Sequence, residues 1–129
     1  MQIILARTAG FCFGVDRAVS LVEQAVNEGK RVATLGPIIH NRHVIERFAA
    51  LGVREIDAPE EAEAGECVVI RSHGVSCAVY ERLAALDVEV VDATCPFVKK
   101  IHHIISAAKE KGQQPDIIGK RSHPEVQAI

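Results

Sequence analysis

The chain has 129 residues, of which 48% are hydrophobic, and a formal net charge of -2. This length supports one domain with a hydrophobic core but not two full ones. Lysine and arginine are not clustered or interleaved with aromatic residues, so the sequence predicts no nucleic-acid-binding surface. No stretch approaches the roughly 20 apolar residues of a membrane span, and the start of the chain does not resemble a secretory signal. The sequence therefore predicts a cytoplasmic protein with neither a nucleic-acid nor a membrane partner.

Short apolar runs alternate along the chain with segments of helical periodicity. Strands are predicted over residues 2–6, 31–35, 53–56, 67–70, 88–91 and 117–118. Helices are predicted over residues 15–26, 42–51, 77–86 and 97–111, with a short acidic helical turn over 59–64 and with Asn41 and Ser76 as N-caps. This alternation is typical of parallel strands joined by right-handed crossovers. The predicted fold class is therefore α/β, an open and mostly parallel sheet with helices on both faces.

The predicted domain organisation is one α/β unit and the start of another. Residues 1–95 form the first unit, and residues 96–129 form the beginning of a second. No helix is predicted after the last strand, although a strand of this fold class needs a helix to cover it. The chain is therefore expected to be the truncated, amino-terminal part of a longer protein.

Cysteine and histidine residues follow five of the six predicted strands. These residues are Cys12, His40, His73, Cys95 and His123. Ligands of open parallel sheets bind beyond the carboxyl ends of the strands, where loops and helix amino termini meet. Scattered residues would fall equally often at the opposite edge. The one-sided placement therefore predicts one shared site.

Two of the four cysteines occupy matching positions. Cys12 and Cys95 each lie between a predicted strand and the start of a helix, whose positive end stabilises a negatively charged thiolate. Both are predicted to be metal ligands. Cys67 lies at the opposite edge of the sheet and is predicted to be a core residue, while Cys77, in the first turn of a helix, receives no role. Two thiolates are too few for an iron–sulfur cluster, and their spacing matches no compact zinc site.

The histidines after the strands indicate a different chemistry. Imidazoles at helix amino termini suit a diphosphate better than they suit iron. His40, His73 and His123 are therefore candidate diphosphate ligands, and the alternative for each is an isolated surface histidine. The remaining histidines lie within predicted helices and are expected to be solvated or packed against a partner: His43, His102 and His103.

Five segments in order resemble the successive motifs of the 4-hydroxy-3-methylbut-2-enyl diphosphate reductases, the LytB-type iron–sulfur reductases of the non-mevalonate isoprenoid pathway. The segments are Gly10-Phe11-Cys12-Phe13-Gly14-Val15, Gly36-Pro37-Ile38-Ile39-His40-Asn41, Arg71-Ser72-His73-Gly74-Val75, Asp92-Ala93-Thr94-Cys95-Pro96 and His123-Pro124-Glu125-Val126. The resemblance spans the whole chain, but the chain spans less than half of a typical member. It implies that this chain contributes the first of three similar α/β units around a central cluster.

The resemblance also implies the cofactor and the roles of individual residues. Cys12 and Cys95 would be two ligands of a [4Fe-4S] cluster whose third cysteine lies outside this chain. The three strand-end histidines would bind the substrate diphosphate, and Glu125 would deliver protons to the substrate hydroxyl. The implied enzyme removes that hydroxyl as water and forms isopentenyl and dimethylallyl diphosphate. Its expected electron donor is a ferredoxin or a flavodoxin.

Two other functions are compatible with parts of this pattern. The chain can be an inactive truncated fragment, or it can be a phosphate-binding α/β module without catalysis. The second class usually carries a Gly-x-Gly-x-x-Gly or Walker motif, and neither is present. A thioredoxin-like protein is disfavoured because no two cysteines have the Cys-x-x-Cys spacing.

Overall fold

The computed structural model describes all 129 residues. Its strands are β1 Val32–Leu35, β2 Arg54–Ile56, β3 Cys67–Ile70 and β4 Glu89–Asp92. Its helices are α1 Phe13–Asn27, α2 Arg42–Ala50, α3 Cys77–Ala84, α4 Pro96–Glu110 and α5 Pro124–Gln127, and a 3-10 turn spans Pro59–Glu61. None of these helices combines the length and the apolar character that crossing a membrane requires.

The four strands form one parallel sheet in the order β2-β1-β3-β4. Every residue of β1 and of β3 is buried, which explains why both central strands consist almost entirely of apolar residues. The register places Leu35 beside Ile70, and Ile70 beside Asp92. Because the strands are parallel, the loops that follow β1, β3 and β4 leave the sheet at the same edge.

Helices cover both faces of the sheet, as predicted. On one face, α1 and α2 bury Val22 and Phe48 against residues such as Val69. On the other face, Leu83 of α3 packs with Ile70. Burying one such side chain stabilises the fold by about 1.5–3 kcal/mol. The α/β fold class is thus confirmed, and the core fixes the edge at which the loops gather.

Local sequence signals set the helix boundaries. The Asn41 side chain accepts a hydrogen bond from the Val44 amide at 3.2 Å and caps α2, as predicted. Ser76 occupies the predicted N-cap of α3, but its hydroxyl makes no capping hydrogen bond. Gly29, with φ of +75°, lies two residues beyond the end of α1, in the left-handed region that glycine adopts without strain.

The first and last predicted strands are wrong. Residues 2–6 and 117–118 contain no strand, and Ile4 and Ile118 are 82% and 101% exposed. A strand needs a neighbour with which its amides and carbonyls can pair, and neither segment pairs with a strand of this sheet. A short helix, α5, follows the second segment where none was predicted. The division of the chain at residue 95 stays a prediction.

Candidate functional site

Three histidines that are far apart in the sequence converge at the carboxyl edge of the sheet. The ring centroids of His40 and His73 are 4.8 Å apart, and those of His73 and His123 are 6.1 Å apart. His73 is thus the middle member of a cluster, called here the histidine cluster. The structure brings together the three histidines that the sequence singles out. Only His40 and His73 follow strands of the sheet, since the strand predicted before His123 is absent.

The loops after β1 and β3 are tied to each other, and this tie places two of the histidines. Ile38 and Ile39 are buried and anchor the loop that leads from β1 to His40. The Ser72 hydroxyl donates a hydrogen bond to the Ile38 carbonyl at 3.3 Å. Since Ser72 directly precedes His73 and Ile38 lies two residues before His40, this hydrogen bond holds the backbones of the two histidines near each other.

A cavity of about 300 Å³ opens beside His40 and His73. Its other lining residues are Phe11, Val15, Ile39, Asn41 and Ser72. The lining combines polar residues with apolar ones, which suits a ligand with an anionic head and a short hydrocarbon chain. The sequence did not single out Asn41 or Ser72 as site residues. The only feature of the sequence that could have indicated them is that each lies next to a candidate histidine.

His73 lies in an environment that disfavours its charged form. The side chain is partly buried, and its Nδ1 atom is buried without a hydrogen-bond partner. Burial lowers the pKa of His73, and the positive charges of His40, Arg71 and His123 lower that pKa further. The imidazole is therefore neutral at neutral pH. An anion bound beside it would reverse the effect, because opposite charge favours the protonated ring.

We expect His73 to titrate below the usual histidine value of about 6.5. The unfolded chain then binds more protons than the native chain between the two pKa values, so acidification through that window lowers the free energy of unfolding. An NMR pH titration of the His73 ring measures the pKa, with His73→Asn identifying the resonance. Urea unfolding of both proteins at several pH values should show a smaller acid-induced loss in His73→Asn. Titration of His73 at or above the usual value would contradict this electrostatic description.

His123 and Glu125 lie at the start of α5. The Glu125 amide donates a hydrogen bond to His123 Nδ1 at 3.3 Å, so in the neutral ring the proton resides on Nε2 and is free to be donated. The Glu125 side chain is partly buried. It lines a separate groove of about 490 Å³, together with His123 and isoleucines such as Ile104. His123 thus joins the histidine cluster, while Glu125 lies in the neighbouring groove.

The two candidate metal ligands occupy equivalent positions in the structure. Cys12 is the N-cap of α1 and Cys95 is the N-cap of α4, and neither thiol makes a capping hydrogen bond. A Cβ atom added to Gly14 would lie 2.6 Å from Cys95 Sγ, well inside the ordinary contact distance of about 3.5 Å. The first turn of the helix that begins after Cys12 therefore lies directly against Cys95. Both cysteines lie at helix starts, as predicted, but only Cys95 also follows a strand, because the strand predicted before Cys12 is absent.

This donor set fits part of a metal cluster rather than a complete site. No group of three or more histidine, cysteine, aspartate or glutamate side chains in the 129 residues could hold a metal ion. Two thiols that make no capping hydrogen bond, at neighbouring helix starts, are suited to be two ligands of a cluster whose remaining ligands come from outside this chain. Cys67 is buried in the core, as predicted, and its burial raises the pKa of its thiol. Cys77 is exposed at the start of α3.

The other histidines lie outside the histidine cluster. His43 and His103 are exposed on α2 and α4, as the helical pattern predicts. His102 is half-buried beside the turn at Gly74, and its Nε2 atom is buried without a hydrogen-bond partner.

Comparison with known proteins places the chain in a family. Residues 3–129 match the family model described as LytB protein. The chain belongs to the LytB protein family. This membership confirms the resemblance that the five sequence motifs indicate.

Curated LytB relatives match the chain over nearly its whole length. The chain is 47% identical over 129 residues to the 4-hydroxy-3-methylbut-2-enyl diphosphate reductase of Citrifermentans bemidjiense, and it covers 100% of itself and 46% of that protein. It is 46% identical over 130 residues to the reductase of the same name from Thermoanaerobacter sp., covering 98% of itself and 45% of the relative. The chain therefore spans slightly less than half the length of these LytB relatives.

Solved structures of LytB reductases share the fold. The structure of (E)-4-hydroxy-3-methyl-but-2-enyl diphosphate reductase, described as the terminal enzyme of the non-mevalonate pathway, matches with a TM-score of 0.84 and 43% identity over 98% of this chain and 45% of that chain. The reductase structure from Plasmodium falciparum matches with a TM-score of 0.90 and 27% identity over 95% of this chain and 39% of that chain. The arrangement of the sheet and helices is thus that of the LytB fold.

Proposed function

We propose that this chain is the amino-terminal part of a reductase acting on 4-hydroxy-3-methylbut-2-enyl diphosphate. Two electrons and two protons remove the allylic hydroxyl as water and leave isopentenyl and dimethylallyl diphosphate. The names of the relatives support this substrate. The observation that carries the proposal is the histidine cluster, in which three imidazoles from separate segments meet beside a cavity lined by both polar and apolar residues.

The histidine cluster binds the diphosphate. Imidazole N–H groups donate hydrogen bonds to phosphate oxygens, and a proton taken up by His73 would add charge attraction. His123 presents its Nε2 proton because Nδ1 already accepts from the Glu125 amide. Phe11 and Val15 line the same cavity and would contact the hydrocarbon part of the substrate. Binding the anionic head in this way fixes the position of the short chain that carries the hydroxyl.

The two thiols at the helix starts hold the cofactor. Cys12 and Cys95 would ligate a [4Fe-4S] cluster, with a third cysteine supplied from outside this chain. When bound, such a cluster supplies electrons and an iron that acts as a Lewis acid on the hydroxyl. The buried Gly14 leaves room for the Cys95 sulfur, which a larger residue would displace. A ferredoxin or a flavodoxin is the expected electron donor, and the cytoplasm is the expected location.

Glu125 supplies protons from its carboxyl group. Glu125 lines the groove beside His123 and is not among the residues that line the cavity of His40 and His73, although its charge still reaches His73 and opposes the lowering of that pKa. This separation matters because a carboxylate next to a diphosphate would repel it. From the groove side of His123, Glu125 would deliver its proton to the substrate hydroxyl through a relay. The chain alone is expected to lack turnover, because it holds no complete set of metal ligands.

Inorganic pyrophosphate tests the proposed anion site on this 129-residue chain. Titration followed by NMR should move the ring resonances of the three cluster histidines together, because one anion contacts all of them. His73→Asn should weaken pyrophosphate binding at least about tenfold, because the asparagine amide places its N–H donor differently from the imidazole and cannot take up a proton. The matched control is His103→Asn on the exposed face of α4, which should bind pyrophosphate like the unsubstituted chain. Equal affinity in His73→Asn would contradict the proposed site.

A further inference from the structure

The loop between β4 and α4 is held by contacts from elements on both sides of it. Only Ala93 and Thr94 separate the end of the strand from Cys95. The Cys95 amide donates to the Ser72 carbonyl at 2.9 Å, and the Ala93 amide donates to the Ile70 carbonyl at 3.1 Å. Backbone hydrogen bonds thus attach this loop to β3 and to the turn that carries His73.

The carboxylate of Asp92 is the centre of a second set of contacts. One oxygen, Oδ1, accepts from the Thr94 amide at 2.9 Å. The other, Oδ2, accepts from the Tyr80 hydroxyl at 3.0 Å and lies 2.6 Å from Lys99 Nζ. Tyr80 belongs to α3 and Lys99 to α4, so one side chain joins two helices to the loop. Only 25% of the Asp92 side chain is exposed.

A guanidinium group also holds this loop, through hydrogen bonds to two of its backbone carbonyls. Arg17 of α1 donates from Nη2 to the Asp92 carbonyl at 3.3 Å and from Nη1 to the Thr94 carbonyl at 3.4 Å. The planar group of arginine can hold two carbonyl oxygens at once, which a lysine cannot do with the same geometry. Since α1 begins directly after Cys12, this contact also ties the helix of the first thiol to the loop of the second.

The electrostatics agree with a charged carboxylate and a neutral phenol. Burial raises the pKa of Asp92, but hydrogen bonds from Lys99 and from the Thr94 amide outweigh it and hold that pKa below its usual range. Burial raises the pKa of Tyr80 to about 12, so its hydroxyl remains a donor to the carboxylate. Charge-assisted hydrogen bonds of this kind are roughly twice as strong as neutral ones.

We propose that Asp92 and Arg17 are positioning residues that hold Cys95 against Gly14, in the place from which its thiolate serves the metal cluster. This inference rests on the proposed function for the role of Cys95, while the contacts themselves stand independently of it. Cluster ligands must meet a fixed geometry, and a ligand on a loose loop loses affinity and selectivity for the metal. Neither residue hydrogen-bonds to the thiol, and their contacts with the loop are to the backbone of residues 92–94, so both act through that backbone.

The first arm of the test uses the 129-residue chain without metal. In Asp92→Ala, hydrogen exchange of the Thr94 and Cys95 amides should accelerate about tenfold or more, because the loop opens locally while the sheet does not. Arg17→Met should do the same, and Arg17→Lys should restore part of the protection. The matched control is Glu89→Ala, at the other end of β4, which removes an ion pair with Lys30 of 2.7 Å. Unchanged exchange at Thr94 and Cys95, or a uniform acceleration that includes β1 and β3, would overturn the proposal.

The second arm follows the cluster in a completed protein, meaning this chain followed by the carboxyl-terminal remainder of its Citrifermentans bemidjiense relative. Asp92→Ala should release iron to a chelator at least about tenfold faster than the unsubstituted protein and should alter the electron paramagnetic resonance spectrum of the reduced cluster. Glu89→Ala should do neither. Unaltered iron release and an unaltered spectrum in Asp92→Ala would overturn the positioning role. An unsubstituted completed protein that held no iron would instead contradict the proposed function itself, whatever the variants do.

Discussion

Replacing Cys95 with serine in the completed protein is expected to abolish most of its iron content and its visible iron–sulfur absorption. A serine hydroxyl at the start of α4 stays protonated near neutral pH and is a poor ligand for iron, so one of the three proposed protein ligands is lost. Cys12→Ser should have the same effect, because Cys12 occupies the equivalent position at the start of α1. Iron analysis and absorption spectra of protein purified without oxygen measure both effects.

The remaining cysteines provide the controls for this experiment. Cys67→Ser removes a buried thiol at the start of β3, whereas the site lies beyond the end of that strand. This change should lower stability while leaving iron content unchanged. Cys77→Ser changes an exposed residue and should affect neither property. Full iron content in Cys95→Ser, or loss of iron in Cys77→Ser, would show that the ligands have been assigned wrongly.

Replacing Glu125 with glutamine is expected to lower turnover by about 10²-fold or more, because general acid–base catalysis by one group contributes this much. Glutamine keeps the size of the side chain and its place in the groove but cannot donate a carboxyl proton. Substrate binding should therefore persist, since Glu125 is not among the residues that line the cavity of His40 and His73. The measurements are single-turnover rates and equilibrium binding in the completed protein.

His40→Ala is the contrasting variant for Glu125→Gln. It removes one donor of the histidine cluster and leaves the carboxyl group in place, so weaker substrate binding should be its main defect. Unchanged turnover in Glu125→Gln would remove Glu125 from the mechanism. Equal losses of binding in both variants would instead assign Glu125 to the diphosphate site.

The central part of the fold was predictable from the sequence because it is buried on both sides. Residues 67–70 are uniformly apolar, and they form a central strand between two helical layers. The apolar run at residues 2–6 looks similar in the sequence but forms no strand here. Hydrophobicity alone cannot indicate whether a segment finds a neighbouring strand to supply its hydrogen bonds.

The site was predictable where residues follow strands and was not predictable where it depends on distant contacts. His73 and Cys95 each lie three residues beyond the end of a strand, β3 and β4, so the topology of a parallel sheet brings them to one edge. Arg17 meets the Asp92 carbonyl across 75 residues of sequence, and no local pattern marks that contact. The position of Glu125 in a separate groove also depends on the packing of α5, which the sequence did not predict.

The central claim is that this chain supplies half of a working reductase, and turnover by the completed protein tests it most directly. The protein is purified without oxygen, given chemically reduced ferredoxin or flavodoxin, and incubated with 4-hydroxy-3-methylbut-2-enyl diphosphate. We predict formation of isopentenyl and dimethylallyl diphosphate, and no product when the 129-residue chain is used alone. A completed protein that retains its iron–sulfur absorption and binds the substrate, but forms neither product, would contradict the proposed function.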